Sequence, residues 1–332
     1  MATLDIFNDD AFSLSSLTQT ITDIPRVPTQ LGDEGLFREY PINTLSMMIE
    51  RQGSALKLVP AAPRGGVPEP VGQTGRKLYP ITGVHLPQGG SVLADEVQGI
   101  RAFGSETEVM AVQTLVTSKL TTMKNNLDLT LEYQRIGALK GVILDADGTT
   151  VLNDMYSLFG FTQTTFSLGL SDPNTDVKQK CVALKRGIRV AMGGRPVTEV
   201  RVKVSETLFD QLVGHASVKE AYDLWNNGAF ARTSQVDADF EFAGVVFQIY
   251  LGGTSAGDFI PANQGYAYPV GIPGMFQIAY CPANFMETVN TNGLPYYAKQ
   301  APMKFNIGVE LYSQSNPIAL NTHPEAVFKI TA

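Results

Sequence analysis

Residues 105–139 read SETEVMAVQTLVTSKLTTMKNNLDLTLEYQRIGAL. Their apolar members, Val109, Val112, Val116, Leu120, Met123, Leu127 and Leu131, follow one another at intervals of 3, 4, 4, 3, 4 and 4 residues. That is a helix period and not a strand period. Ser105 with Glu108 predicts a capping box, and Gly104 marks the approach to it. Gly137 and Gly141 stand where such a helix should stop. At a rise of about 1.5 Å per residue the helix would run about 50 Å, far beyond the globular mean. Strand and turn signals crowd both flanks. The expectation is one long helix acting as a spine for something extended. The competing reading is one long core helix in an α+β enzyme.

Upstream, residues 41–90 predict a long two-stranded arm. Leu45, Met47 and Ile49 alternate, then Leu56 and Leu58, as far as Pro60; the returning strand runs from about Arg76 to Leu86. The connection, AAPRGGVPEPVGQTG (residues 61–75), is too rich in Pro and Gly to pack as a core. A hairpin so thin is marginal alone in water, so it should lie on a neighbouring subunit. Residues 1–40 are polar and carry Asp5, Asp9, Asp10, Pro25 and Pro28. They predict an extended N-terminal arm without regular structure; the competing reading makes the first fifteen residues a disordered tail.

Downstream, Val142-Ile143-Leu144, then Asp147-Gly148, then Val151, Tyr156 and Phe159 predict a hairpin. A second helix follows over DVKQKCVALKRGIRVAM, with Val177, Cys181, Leu184, Ile188 and Ala191 on one face and a stop at Gly193-Gly194. VTEVRVKVSE alternates as a strand, with Val200, Val202 and Val204 on one side. Two short helical stretches, ETLFDQLVGH and ASVKEAYDLW, precede the strands FEFAGVVFQIYLGG, GYAYPVG and MFQIAYCPA. KFNIGVELYSQSNP and AVFKITA close the chain as two more strands. The class is α+β, with two sub-domains and two protruding extensions.

Composition narrows the function. The 332 residues can bury a large core, yet only 17% are charged, against a usual ~25%. Such a surface suits a subunit that buries much of its exterior against neighbours. The net charge of -7 disfavours a general nucleic-acid coat, although a basic face on an acidic chain stays open. Cys181 and Cys281 are far apart and His85, His215 and His323 are scattered, so neither a disulfide framework nor a metal centre is expected. The start, MATLDIFNDDAF, lacks the basic and apolar regions of a signal peptide, and no apolar run approaches the ~20 residues that cross a bilayer.

Three motifs invite a chemical reading. DADGT (Asp145–Thr149) after an apolar triplet matches the DxDGT signature of haloacid-dehalogenase phosphatases, with Asp145 as nucleophile and Asp147 as general acid. That chemistry also needs a lysine and an acidic pair for Mg²⁺. No Asp-Asp pair follows, and Asp237 and Asp239 lack the apolar strand that should precede them. GTSAG (Gly253–Gly257) fits the nucleophile elbow with Ser255, and would need His323 and an acid such as Glu287 or Glu310. The helix required after it is replaced by DFIPANQGYAYPVG. GQTGRK (Gly72–Lys77) fails the phosphate-loop pattern because Leu78 follows Lys77. A loop made basic by Arg64, Arg76 and Lys77 suits an acidic neighbouring surface instead. No catalytic, cofactor or metal residue is assigned.

The order of parts resembles the major capsid proteins of tailed bacteriophages, most closely the lambda-like major capsid protein E family. The resemblance is carried by FREYP (Phe37–Pro41), HLPQGGSVLADEVQGIR (His85–Arg101), LEYQRIGALKGVILDADGT (Leu131–Thr149), FEFAGVVFQIYLGG (Phe240–Gly253), FIPANQGYAYPVG (Phe259–Gly271), and the run from AYCPANF (Ala279–Phe285) to QSNP (Gln314–Pro317). It implies the HK97-like phage capsid fold: an N-terminal arm (1–40), an extended loop (41–90), a peripheral domain (91–174 and 301–332) holding the spine helix (105–139), and an axial domain (175–300). It implies hexamers and pentamers building an icosahedral head, with a scaffolding protein, a portal, a decoration protein and non-specifically held double-stranded DNA as partners, and no membrane. It places the protein in the virion, assembled in the host cytoplasm. Some relatives cross-link a loop lysine; Lys57 and Lys77 lie in this loop, but no motif fixes that chemistry. The alternatives are the Mg²⁺-dependent phosphatase using Asp145 and Asp147, and a nanocompartment shell of the same fold.

Overall fold

A computed structural model describes residues 12–25, 29–52, 76–98, 105–193, 195–219, 221–222, 239–254 and 257–332, without the side chains of 51–52, 76, 97–98 and 105–112. In chain order the elements are α1 (Leu14–Asp23), α2 (Gln30–Asp33), β1 (Arg38–Pro41), β2 (Ser46–Gln52), β3 (Arg76–Thr82), β4 (Leu86–Leu93), α3 (Ala94–Gln98), α4 (Ser105–Lys140), β5 (Val142–Leu144), β6 (Val151–Asp154), α5 (Met155–Phe159), β7 (Thr164–Ser167), α6 (Val177–Ala191), β8 (Glu199–Val204), α7 (Glu206–Gly214), β9 (Phe240–Phe242), β10 (Val245–Ile249), β11 (Gly253–Thr254), β12 (Gly257–Asp258), β13 (Gln264–Val270), β14 (Phe276–Tyr280), β15 (Tyr297–Pro302), β16 (Gly308–Ser315), β17 (Pro317–Asn321) and β18 (Phe328–Thr331). They fall into two compact units.

The first unit comprises residues 1–47, 81–135 and 277–319. It contains most of α4, whose stripe is buried as its spacing requires: Val116, Leu120, Met123, Leu127 and Leu131 are all out of solvent. Val109, Val112 and the Ser105–Glu108 capping box lie outside the described side chains. The antiparallel sheet β15-β16-β4 packs close to this helix. Gly90 on β4 shows how close: a Cβ there would sit 2.5 Å from the end of Met123. A second sheet of three strands runs in the order β1-β14-β17, with β1 parallel to β14.

The N-terminal segment departs from expectation. Leu14–Asp23 is helical, capped by Ser13 through the Ser16 amide, and it buries Leu17 and Ile21. Thr18 on α1 exchanges hydrogen bonds with the backbone of Ala298 on β15. Pro25 follows the helix, where it does no harm to it; Pro28 lies outside the described residues. The returning strand also differs. It ends at Thr82, and a separate strand begins at Leu86 in another sheet. The break at Gly83 is held by Gly83 N–H to Leu45 carbonyl and Val84 N–H to Pro317 carbonyl bonds. A Cβ at Gly83 would meet the Cys281 sulfur at 2.7 Å. The loop between β2 and β3, with Leu56, Leu58, Pro60, Lys57 and Arg64, lies outside the described residues.

The second unit comprises residues 48–80, 136–276 and 320–332. Its centre is a mixed sheet in the order β7-β18-β13-β8-β10-β9. β8 pairs in parallel with β10 and β18 with β7; the other ladders are antiparallel. Val200, Val202 and Val204 point to one face and are buried against the α6 stripe of Val177, Cys181, Leu184 and Ile188. Leu208 and Leu212 of α7 and Phe247 of β10 join the same core. Each such side chain contributes about 1.5–3 kcal/mol on burial. α6 has the predicted limits, with Asp176 as its N-cap.

The long helix runs through Gly137 to Lys140. Gly137 is therefore not a stop. A Cβ there would lie 3.1 Å from the Ile143 backbone, so the glycine lets hairpin β5–β6 close on the helix. The stop is Gly141, left-handed at φ 87°.

Candidate functional site

The predicted Asp-Gly hairpin forms, and it explains DADGT without chemistry. β5 and β6 pair across the turn 145–150. Asp145 N–H donates to the Thr150 carbonyl at 2.8 Å, and Gly148 N–H to the Asp145 carbonyl at 2.9 Å. One oxygen of Asp147 accepts the amides of Thr149 and Thr150 at 2.9 and 2.8 Å, and the other accepts the Thr150 hydroxyl at 2.6 Å. The hydroxyl bond first, then the two amides, hold the Asp147 carboxyl well below the usual carboxylate range. A general acid must keep its proton near neutral pH; Asp147 is tuned the opposite way. Among the described residues no group of three acidic, His or Cys side chains could hold a metal ion.

Asp147 carries a pH signature. Its folded-state value lies below the ordinary 3.8, so the turn's contribution is complete above that pH and lost as pH falls through the lowered value. Asp147→Asn should lower the melting temperature slightly at pH 7, and the gap to wild type should narrow as the pH falls below about 3.8. Differential scanning fluorimetry across pH checks this; a gap that widened on acidification would contradict it. Asp145→Asn should change no Mg²⁺-dependent phosphate-ester hydrolysis, because wild type should show none.

The described candidates for a nucleophile-elbow triad are engaged elsewhere. Ser255 lies outside the described residues, but its flanks form the hairpin β11–β12, with Gly253 opposite Asp258 and Thr254 opposite Gly257. Glu287 pairs with Lys299 at 2.6 Å. His323 contacts Arg195 at 2.7 Å and Glu325 at 3.4 Å. Glu310 stands on β16 opposite Ser91 and Ala301. Of GQTGRK only its last two residues fall on described backbone, where they begin β3.

The reading of apolar spacing missed a second stripe on α4. Lys124, Asp128, Glu132 and Arg135 repeat at helix intervals and are all buried. Lys124 donates its ammonium protons to the carbonyls of Thr22, at 3.1 Å, and Ile24, at the C-terminal end of α1, and its nitrogen lies 4.9 Å from the Tyr296 ring centre. Glu132 accepts the Leu31 and Gly32 amides at 2.7 and 3.2 Å. These are first-turn amides of α2, whose own N-cap, Thr29, supplies no side-chain bond. A cation thus meets a helix C-terminus and an anion a helix N-terminus, as both dipoles require. Between them Asp128 accepts the Tyr296 hydroxyl. Arg135, 1% exposed, bonds Glu39 at 2.8 Å and Glu132 at 3.4 Å, while the Tyr280 hydroxyl donates to Glu39 at 3.1 Å. The spine helix therefore reads the N-terminal segment along its length and fixes it to the first unit.

Large apolar side chains are also left in water. Phe305 is 94% exposed and Met286 89%, with Ile307, Val289 and Leu294 near them in sequence; Leu45, Met48 and Leu78 are exposed about hairpin β2–β3. Phe305 sits in the turn between β15 and β16, with φ 63°, and Asn306 beside it has φ 55°. Left-handed backbone at a bulky residue costs about 1–3 kcal/mol.

The family profile of phage major capsid protein E matches residues 13–332. The major capsid protein of Salmonella phage Felix O1 is 25% identical over 363 aligned positions, covering 97% of this chain and 96% of its own. That of Pseudomonas phage KPP10 is 23% identical, covering 96% of each. Among solved structures, a protein described as a prophage capsid protein of E. coli CFT073 superposes with a TM-score of 0.61 at 11% identity, over 96% of this chain and 98% of that one. The capsid of myovirus XM1 gives 0.50 at 12% identity, over 92% and 94%. The fold is the HK97-like α+β capsid fold, and none of these relatives is a phosphatase. The chain belongs to the phage major capsid protein E family, whose members build shells and are not enzymes.

Proposed function

We propose that copies of this chain form hexamers and pentamers of an icosahedral head around double-stranded phage DNA. A scaffolding protein, a portal and a decoration protein are its further partners, and assembly takes place in the host cytoplasm. In this reading residues 1–40 are an arm, 41–90 an extended loop, 91–174 with 301–332 a peripheral domain, and 175–300 an axial domain. The observation that carries it is Phe305. An aromatic side chain held in water on left-handed backbone has no use in the isolated subunit. Packed against another copy it would bury its ring and supply the contact energy that a low-charge subunit needs.

Phe305→Asp tests this. The residue touches no core, so the melting temperature should stay within a degree or two of wild type. Shell yield, read by sedimentation and electron microscopy, should fall at least tenfold. Normal shells from Phe305→Asp would remove this contact from the assembly.

The loop from Pro60 to Gly75 is assigned the role of a clamp on a neighbour. Trypsin should cut unassembled protein early at Arg64 and at Arg76–Lys77, and assembled shells much more slowly. Equal rates in both states would make the loop a solvated insertion.

A further inference from the structure

Helix α6, VKQKCVALKRGIRVA, carries Lys178, Lys180, Lys185, Arg186 and Arg189 and not one acidic residue, in a chain of net charge -7. Its apolar stripe is spent on the core of the second unit. Lys178, Arg186 and Arg189 are exposed on the outer side, and Lys180 and Lys185 flank them half-buried. None of the five forms an ion pair among the described residues, whereas Lys119, Arg201 and Lys299 are matched to Glu96, Glu199 and Glu287. The carboxylate at the start of the helix, Asp176, is engaged as the N-cap on the Gln179 amide at 3.1 Å.

This arrangement works against the helix. Lys178 and Lys180 lie in its first turns, where the dipole favours acids, and the N-cap Asp176 is the one acid at that end. Lys185 with Arg189, and Arg186 with Arg189, are like charges at four and three residues, each pair costing a few tenths of a kcal/mol. A face that folding alone would not choose, repeated over three turns, points to a ligand that repays it. A face of a single sign matches a polymer of the other, and duplex DNA offers one negative charge per about 1.7 Å of its axis.

We propose that the outer face of α6 binds the phosphate backbone of double-stranded DNA, without reading sequence. The proposal rests on the reading of a DNA-filled shell and assigns that contact to one helix. Arg and Lys serve alike here, because point charges suffice for counterion release.

The test uses full-length, unassembled subunits and a short mixed-sequence duplex, followed by fluorescence anisotropy over a range of salt. Wild type should bind with a steep salt slope. Lys178→Ala/Arg186→Ala/Arg189→Ala should flatten that slope by about 2.7 and lower affinity at about 0.1 M salt by roughly two orders of magnitude. Arg186→Lys/Arg189→Lys should retain the wild-type slope. The triple variant should melt no lower than wild type, since it relieves repulsion, so its loss of binding cannot come from unfolding. Lys299→Ala, a cation outside the helix, should bind as wild type does. An unchanged slope in the triple variant overturns the proposal. So does a triple variant that binds DNA normally but no longer makes shells, which would assign α6 to a contact between copies. Failure of the wild-type chain to form closed particles would instead strike the shell reading.

Discussion

Leu120→Asp should leave no folded, soluble subunit. Leu120 is 1% exposed on the stripe of α4. Deleting a buried leucine side chain alone costs about 2–5 kcal/mol. An unpaired carboxylate in its place adds several more. The total approaches the whole stability of an ordinary domain, about 5–15 kcal/mol. Lys119→Asp, one residue away, is the control. Lys119 reaches Glu96 at 2.8 Å across a partly exposed surface, and such pairs contribute about 0–1 kcal/mol. Expression, solubility and circular dichroism of the two variants check the assignment. A folded Leu120→Asp beside an unfolded Lys119→Asp would put the helix on its other face.

Glu132→Ala should be the next most damaging change, by about 3–5 kcal/mol. It strips the two first-turn amides of α2 of their acceptor and leaves Arg135 buried with a single carboxylate, that of Glu39. The damage should be local before it is global. The N-terminal segment should come off α4, and trypsin should cut after Arg38 many times faster than in wild type. Glu132→Gln keeps an acceptor for the amides and should fall between the two. An unchanged melting temperature and an unchanged cut at Arg38 in Glu132→Ala would show that the buried stripe does not hold the segment.

Much of this architecture could be read from the sequence because its signals are local and periodic. The α4 stripe from Val116 to Leu131, the α6 stripe from Val177 to Ile188 and the alternation of Val200, Val202 and Val204 each repeat within one element, and burial follows the repeat. Helix α1 was hidden because LSSLTQTITD has few apolar residues and two prolines follow. Its stability comes from β15, far away in sequence, through Thr18 and Ala298. The split at Gly83 rests on backbone bonds to Leu45 and Pro317 and on room for the Cys281 sulfur, partners that nothing near Gly83 announces. Sheet order is non-local in the same way: β18 enters between β7 and β13. The polar stripe Lys124, Asp128, Glu132 and Arg135 was legible in its helical spacing and its mixed charge. A charged stripe on a helix usually faces water, and only the fold shows that helix ends lie over this one.

DADGT illustrates the converse. A signature can be satisfied letter by letter while its carboxylate is fully occupied in holding a turn, as Asp147 is by Thr149 and Thr150.

The central claim is that the purified chain builds shells, and cryo-electron microscopy of wild-type protein tests it most directly. Closed, hollow particles of uniform size, with Phe305 packed at a contact between copies, are the predicted result. A dispersed monomer that never closes into particles under any assembly condition, and that hydrolyses a phosphate ester with Mg²⁺ until Asp145→Asn abolishes it, would contradict the account.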